Sequence, residues 1–335
     1  MKIVVFEVEP WECSHFERLS ADHEVIFVAD PLNIQNIDQY IDAEIVSVFI
    51  YSQLSRGILD RFRHLQFIAT RSTGFDHIDM AHCSNLGIAV SNVPSYGEHT
   101  VAEHVFGLLL MISHRLAESI DRTRKGDFSQ KGLRGFDLQG KTLGVVGTGA
   151  IGRHVMEIAH GFRMNVLAFD LKHDPDMEAK LGFHYAAMDE LLKLSDIVTL
   201  HIPYTEATHH LIDTNEFAKM KQGVILINTS RGAIINIEAL LRALADGKVS
   251  AAGLDVLPEE PIIREEAELL SSFFRKTHDM STLLADHILL RMRNVYITPH
   301  NAFNTREAVE RILDTTVNNI NAYLSGYPQN TVRKK

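Results

Sequence analysis

At 335 residues, 45% hydrophobic and 23% charged, with a formal charge of −10, the chain has the composition of an ordinary globular protein long enough for two domains. The acidic balance excludes a non-specific nucleic-acid or anionic-membrane surface, which needs clustered Lys and Arg, and the tail Arg333, Lys334, Lys335 is too short to reverse it. No stretch nears the roughly 20 apolar residues of a membrane span and MKIVVFEVE carries no long apolar core with a cleavage site, so the chain is expected in the cytosol.

The first hundred residues alternate short apolar runs with polar helical stretches: KIVVFEV, HEVIFVA (23 to 29), EIVSVFI (44 to 50), LQFIAT (65 to 70) and GIAVSNVP (87 to 94). That is the pattern of parallel strands joined by crossover helices. The spacing then predicts one long helix from Glu98 to about Ile120, a natural bridge between domains, with the LLLM run at 108 to 111 as inter-domain or dimer core. A second series follows with TLGVVG (142 to 147), NVLAFD (165 to 170), DIVTLHIP (196 to 203), GVILINTS (223 to 230), VSAAGLDV (249 to 256) and NVYITP (294 to 299). These continuous runs predict six parallel strands covered on both faces. A final helix from about Thr305 to Ser325 is expected to pack back on the first domain. The whole reads as α/β with two doubly wound parallel sheets: a first domain of residues 1–99 plus 301–335, and a nucleotide-binding domain of residues 100–300.

The strand TLGVVG runs directly into Gly147-Thr148-Gly149-Ala150-Ile151-Gly152 and then into a segment of helical spacing. This GxGxxG has its strand–turn–helix setting. Gly147 allows the tight turn, Gly149 lets the backbone approach a pyrophosphate and Gly152 permits close helix–strand packing. The helix start at Ala150 and Ile151 offers free N–H groups and a positive dipole end to the phosphates. Asp170, 18 residues past Gly152, ends the next strand, where its carboxylate accepts from an adenine-ribose hydroxyl and repels a 2′-phosphate. NAD is therefore expected rather than NADP.

Ligands of open α/β sheets sit at the carboxyl ends of the strands. There the sequence places Arg231 after GVILINTS, Glu259 and Glu260 after VSAAGLDV, and His300 after NVYITP. A guanidinium holds a carboxylate bidentately and polarises the neighbouring carbonyl. A histidine donates or takes a proton, and a carboxylate beside it orients the ring. Together these types suit hydride transfer to a 2-oxo acid. His300 alone would be read as one hydrogen-bonded histidine among 18.

At VVGTGAIGRHV, HIPYTEATHHLI, ILINTSRGAIIN, AAGLDVLPEEP and ITPHNAF, and at RSTGFDHID and VPSYGEHTVAEH in the first half, the chain resembles the D-isomer-specific 2-hydroxyacid dehydrogenases, and within them the D-lactate group. The resemblance covers nearly the whole chain. It implies a flavodoxin-like substrate domain, a Rossmann NAD domain, a cleft that closes on its ligands with hinges near 94–100 and 299–301, and a homodimer. It also implies that Arg231 binds the substrate, that His300 is the acid/base, and that Glu260, five residues after Asp255, is its partner. Backbone N–H groups of Ser72, Thr73 and Gly74 would meet the substrate carboxylate, with Tyr96 and Phe303 around the substrate side chain. Val101, Thr229 and Asp255 would surround the nicotinamide, with His201, Pro203 and Thr208 along the cofactor.

Several signals carry plainer readings. Cys13 and Cys83 belong to no metal spacing and are expected as reduced thiols. The Asn228-Thr229-Ser230 sequon closes an apolar strand and reads as accidental, and EHTVAEH lacks HExxH spacing and reads as a helix entry. The 39 residues between Glu260 and His300 read as helices capping the sheet end. Two rival functions remain: the same machinery with glyoxylate, hydroxypyruvate or a bulkier oxo acid, and an NAD-sensing binding protein of the corepressor type.

Overall fold

The computed structural model describes residues 1–258, 285 and 287–332. The chain divides into two compact units, Met1–Gly97 with Asn304–Lys335, and Glu98–Phe303.

In the first unit the strands are β1 (Lys2–Val5), β2 (Glu24–Phe27), β3 (Ile45–Val48), β4 (Phe67–Thr70) and β5 (Ala89–Ser91), all parallel in the order β2-β1-β3-β4-β5. Every residue of β3 and β4 is buried, because helices cover both faces of the sheet. The short helices α1 (Cys13–Phe16), α2 (Arg56–Leu59) and α3 (Met80–Leu86) make the crossovers. Asp79 caps α3 through the His82 N–H and Gly87 closes it in the left-handed conformation, as helix ends favour.

The second unit opens with α4 (Glu98–Ser113) and α5 (Leu116–Arg124). The single helix expected from 98 to 120 is thus two. Phe136 donates its N–H to the Ser113 carbonyl, and Gly135 lies so close that a Cβ there would stand 2.0 Å from the same oxygen. The Ser113 carbonyl is turned to Phe136 at the end of α4, and the chain turns at Arg115 with φ +51. Leu108 and Leu109 pack inside this unit, in the cluster that also holds Val145, Val155 and Ile227.

The sheet of this unit contains β6 (Thr142–Val146), β7 (Asn165–Phe169), β8 (His184–Tyr185), β9 (Ile197–Leu200), β10 (Val224–Asn228), β11 (Val249–Leu254) and β12 (Val295–Ile297), parallel in the order β12-β11-β10-β9-β6-β7-β8. Seven strands stand where six were expected. The extra one, β8, is two residues at the sheet edge and carries no apolar run to betray it. Its crossovers include α6 (Ala150–Gly161), α7 (Pro175–Leu181), α8 (Met188–Leu194), α9 (Thr214–Lys219) and α10 (Ile237–Ala245). The strand order reverses direction between β6 and β9, the switch point at which such sheets bind nucleotides.

The last helix, α11 (Arg306–Leu324), packs on the first unit as its sequence suggests. Tyr323 stacks on Phe67 of β4 with ring centroids 4.3 Å apart, and Asn319 donates to the Asn92 carbonyl. No helix among the described residues is long and apolar enough to cross a membrane. Cys13 and Cys83 are both free thiols.

Candidate active site

The glycine turn after β6 is built as its spacing requires. Gly147 adopts φ +101, and a Cβ there would stand 2.4 Å from the His201 carbonyl oxygen. A Cβ on Gly152 would stand 2.1 Å from the Gly147 oxygen. Gly149 is different, since a Cβ on it would meet nothing within 4 Å. The third glycine is needed by the protein itself, whereas the middle one leaves room beside the start of α6. Gly149 caps that helix, Ala150 and Ile151 form its first turn, and N–H groups of a first turn have no intrahelical acceptor. That set of donors at a helix N-terminus fits a pyrophosphate.

Asp170 ends β7 beside this turn, and its carboxylate accepts from the Thr148 N–H, the Thr148 hydroxyl and the Lys172 N–H. Burial alone would push the carboxyl up; the donors at Thr148, Lys172 and Leu171 overcome it and hold the group below its ordinary value. Leu171 follows with 95% of its surface exposed. An apolar side chain so exposed, directly after Asp170, offers a surface that the flat face of an adenine fits, and the sequence reading passed it over. Its signal was available: an apolar residue directly after a strand-ending aspartate.

After β9 comes His201, whose N–H donates to Val146 and whose ring bonds the Thr199 hydroxyl at 2.8 Å. Burial pushes its imidazole down to about 3, so it is a neutral ring. Pro203 and Thr208 are tied by a bond from the Thr208 hydroxyl to the Pro203 carbonyl.

The ends of β10, β11 and β12 form one connected row. The Asp255 N–H donates to the Asn228 carbonyl at 2.9 Å, and the His300 N–H to the Asp255 carbonyl at 2.9 Å. Asn228 is fully buried and uses its own side chain to fix the next turn: its oxygen accepts from Ser230, and its amide donates to the Arg231 carbonyl. That burial also removes the sequon from any glycosylating surface. Gly232 follows Arg231 because a Cβ there would stand 2.1 Å from the main chain of Leu257. Arg231 and His300 are thus pinned at the ends of β10 and β12, with β11 between them, and both remain half-buried.

Asp255 is 1% exposed and its carboxylate is bonded to the His300 loop, accepting from the Thr298 hydroxyl, the Asn301 N–H at 2.7 Å and the Ala302 N–H at 2.9 Å. His300 itself sits at φ +51, a left-handed conformation that few non-glycine residues adopt without being held. Thr229 is buried, and its hydroxyl oxygen finds no hydrogen-bond partner among the described residues. An orphaned buried hydroxyl between the glycine turn's sheet and Arg231 fits a ligand group that completes it. Val101, also expected beside the nicotinamide, is buried on α4. Glu259 and Glu260 lie outside the described residues, as does most of the segment that follows them.

In the first unit the loop Ser72-Thr73-Gly74 continues from β4. The Ser72 hydroxyl donates to the Gly74 carbonyl, the Thr73 hydroxyl to the Val93 carbonyl, and Asn92 and Val93 donate to the carbonyls of Thr73 and Ser72. The loop's carbonyls are all engaged, while the main-chain N–H groups of Thr73 and Gly74 have no partner among the described residues. Such a pair of free donors suits a carboxylate. Tyr96 accepts on its carbonyl from Arg311, and Phe303 lies on the second unit just past the Asp255-bound turn.

Residues 106–302 match the profile of the D-isomer specific 2-hydroxyacid dehydrogenase, NAD binding domain. The chain belongs to this family. Its second unit is accordingly an NAD-binding domain, and the turn, the carboxylate of Asp170 and the orphaned Thr229 hydroxyl fit that cofactor. The chain is 36% identical over 333 residues to a 2-hydroxyacid dehydrogenase homolog of Haemophilus influenzae, covering 97% of each chain. It is 33% identical over 328 residues to the D-lactate dehydrogenase of Escherichia coli K12, covering 96% of each. Among solved structures it is similar to D-lactate dehydrogenase from Aquifex aeolicus complexed with NAD and lactic acid. There the identity is 36% and the TM-score 0.86, with 97% of this chain and 96% of that one covered. The protein is an oxidoreductase of the D-2-hydroxyacid dehydrogenase type.

Proposed function

We propose that this dehydrogenase is NAD-dependent, works as a cytosolic homodimer and interconverts pyruvate and D-lactate. The observation that carries the reading is the row of Arg231, Asp255 and His300 on adjacent strand ends of an NAD-binding sheet. NADH, when bound, supplies the hydride that C2 of the oxo acid receives. Arg231 takes the substrate's carboxylate and carbonyl oxygen on its planar fork and stabilises negative charge as it develops on that oxygen. His300 donates the proton that makes the oxygen a hydroxyl, and in the reverse direction a neutral His300 takes it back. Glu260 orients the imidazole and favours its charged form. The N–H groups of the Ser72-Thr73-Gly74 loop hold the substrate carboxylate, and Tyr96 and Phe303 bound the space for its methyl group.

On the cofactor side, Gly147, Gly149, Ala150, Ile151 and Gly152 take the pyrophosphate, Asp170 the adenine ribose and Leu171 the adenine face. His201, Pro203 and Thr208 line the path, and Val101 and Thr229 flank the nicotinamide. Asp255 acts through the loop it holds.

The test is NADH oxidation by the purified protein over pyruvate, glyoxylate, hydroxypyruvate, 2-oxobutyrate and phenylpyruvate, with the chirality of each product determined. Highest kcat/KM on pyruvate with D-lactate as product supports the reading. Preference for another acid keeps the machinery and replaces the substrate. Tight NADH binding without turnover on any acid contradicts it and favours a binding protein of the corepressor type.

A further inference from the structure

His104 lies on α4, almost two hundred residues before His300 in sequence and in the same unit. Its Nε2 is 3.0 Å from the Thr298 hydroxyl and 3.5 Å from Asp255 Oδ1. The Thr298 hydroxyl is in turn bonded to that same Asp255 oxygen. The donor count along this chain fixes its direction. A carboxylate only accepts, so the Thr298 hydroxyl gives its single proton to Asp255. Its oxygen is then left to accept, and among the described residues the donor facing it is His104. The ring must therefore carry a proton on Nε2, whichever state its other nitrogen adopts.

The consequence falls on His300. That residue holds φ +51 directly after a proline, a conformation that is unfavourable for a residue with a Cβ and persists only when its surroundings impose it. Asp255 contributes to imposing it from three directions: its carbonyl takes the His300 N–H, and its two carboxylate oxygens take the N–H groups of Asn301 and Ala302. Displacing the Asp255 side chain releases the turn. A side chain 1% exposed is placed by what it touches, and beside the Asn301 and Ala302 N–H groups those contacts are the Thr298 hydroxyl and, behind it, His104 on α4. His104 itself is 22% exposed and anchored in a 16-residue helix, so it is a fixed post.

We propose that His104 is a positioning residue for the reaction. Through the directed chain His104 Nε2–H to Thr298 hydroxyl to Asp255 carboxylate, it holds the left-handed His300 turn at the angle at which the imidazole meets the substrate oxygen. The proposal rests on the reading of His300 as the acid/base. It assigns to the second histidine of EHTVAEH a task that its sequence context, a helix entry, does not show.

The experiment compares His104→Leu, Thr298→Val, the double variant and His104→Gln, with His300→Ala as reference. It measures kcat and KM for pyruvate and, separately, the Kd of NADH by fluorescence. A glutamine amide reaches about as far as Nε2 and donates, whereas leucine cannot. Each of the two apolar variants lowers kcat about ten-fold, within the range coupled neighbours show, and the double variant loses no more than the worse single one. His104→Gln recovers kcat to within about two-fold, and KM and NADH affinity move by less than about two-fold throughout, which a merely loosened fold would not produce. Should His104→Leu fail to fold, His104→Asn, polar but too short to reach Thr298, shows the same fall in kcat. The proposal is overturned if His104→Leu or His104→Asn turns over at the wild-type rate while His300→Ala is inactive, or if the two single losses multiply in the double variant. Full activity in His300→Ala overturns the reading of the site, and the proposal with it.

Discussion

The main-chain N–H and the hydroxyl of Thr148 both donate to one oxygen of Asp170, at 2.7 and 2.9 Å. The residue inside the glycine turn and the residue that ends the next strand are therefore one unit, and the carboxylate proposed for the ribose also holds the turn proposed for the pyrophosphate. Asp170→Asn removes the charge and offers at most one accepting atom where two oxygens now accept. Its NADH Kd is expected to rise by about ten-fold or more, and its preference for NADH over NADPH to shrink, because the repulsion of a 2′-phosphate is gone. Fluorescence titration with both nucleotides checks this; an unchanged ratio would mean that Asp170 does not face the ribose.

The glycines of the turn separate folding from binding. Gly149→Ala adds a methyl group where nothing stands within 4 Å and the backbone is at φ −65, so the fold keeps its melting temperature while NADH affinity falls. Gly152→Ala drives a Cβ toward the Gly147 oxygen, 2.1 Å away, and is expected to lose about 1–3 kcal/mol of stability or more. Thermal unfolding of the two apo variants distinguishes them directly.

His201 makes stability acid-sensitive. Burial pushes its imidazole down to about 3, whereas in the unfolded chain it titrates near 6.5. Between those values the unfolded chain binds a proton that the folded one refuses, so stability rises with pH through this window and falls on acidification from about 6.5. His201→Gln removes the difference. Its stability is expected to change with pH more shallowly than that of the wild type, by about one proton between roughly pH 6 and 4.5, because the carboxylates titrate alike in both proteins. Urea unfolding at several pH values reads the slope.

Arg71, directly before the Ser72 loop, is 2% exposed and donates to the carbonyls of Phe6 and Glu7, each at 2.6 Å, and to the Ser47 hydroxyl. Glu7 adopts φ +53, and its carboxylate accepts from the N–H groups of Phe49 and Tyr51 and from the Ser52 hydroxyl, each at 2.7 Å. One guanidinium thus ties together the ends of β1, β3 and β4. Arg71→Lys keeps the charge but cannot bridge the same acceptors. A loss of about 1–3 kcal/mol in urea unfolding is expected; a neutral result would mean that water replaces the fork.

Strands were legible because parallel sheets covered on both faces leave uninterrupted apolar runs, as β9 and β10 do. What the sequence hid depends on remote partners. The break between α4 and α5 is set by Gly135 and Phe136, more than twenty residues beyond it, and β8 pairs on only two residues. Glycine spacing announced the nucleotide turn, since Gly147 and Gly152 answer local steric demands and Gly149 leaves room beside the start of α6. The bond between Thr148 and Asp170, the Thr298 link from His104 and the clamp of Asp255 on His300 are side-chain geometry, which no spacing encodes.

The central claim is that His300 moves the proton in reduction of a 2-oxo acid, and the most direct measurement is kcat for pyruvate with His300→Ala at saturating NADH, beside the wild type. A fall of about 10²- to 10⁴-fold with NADH affinity unchanged is the expected result. A variant that still turns over pyruvate at a rate close to the wild type would contradict the account, because the row at the ends of β10, β11 and β12 would then hold a histidine that the chemistry does not use.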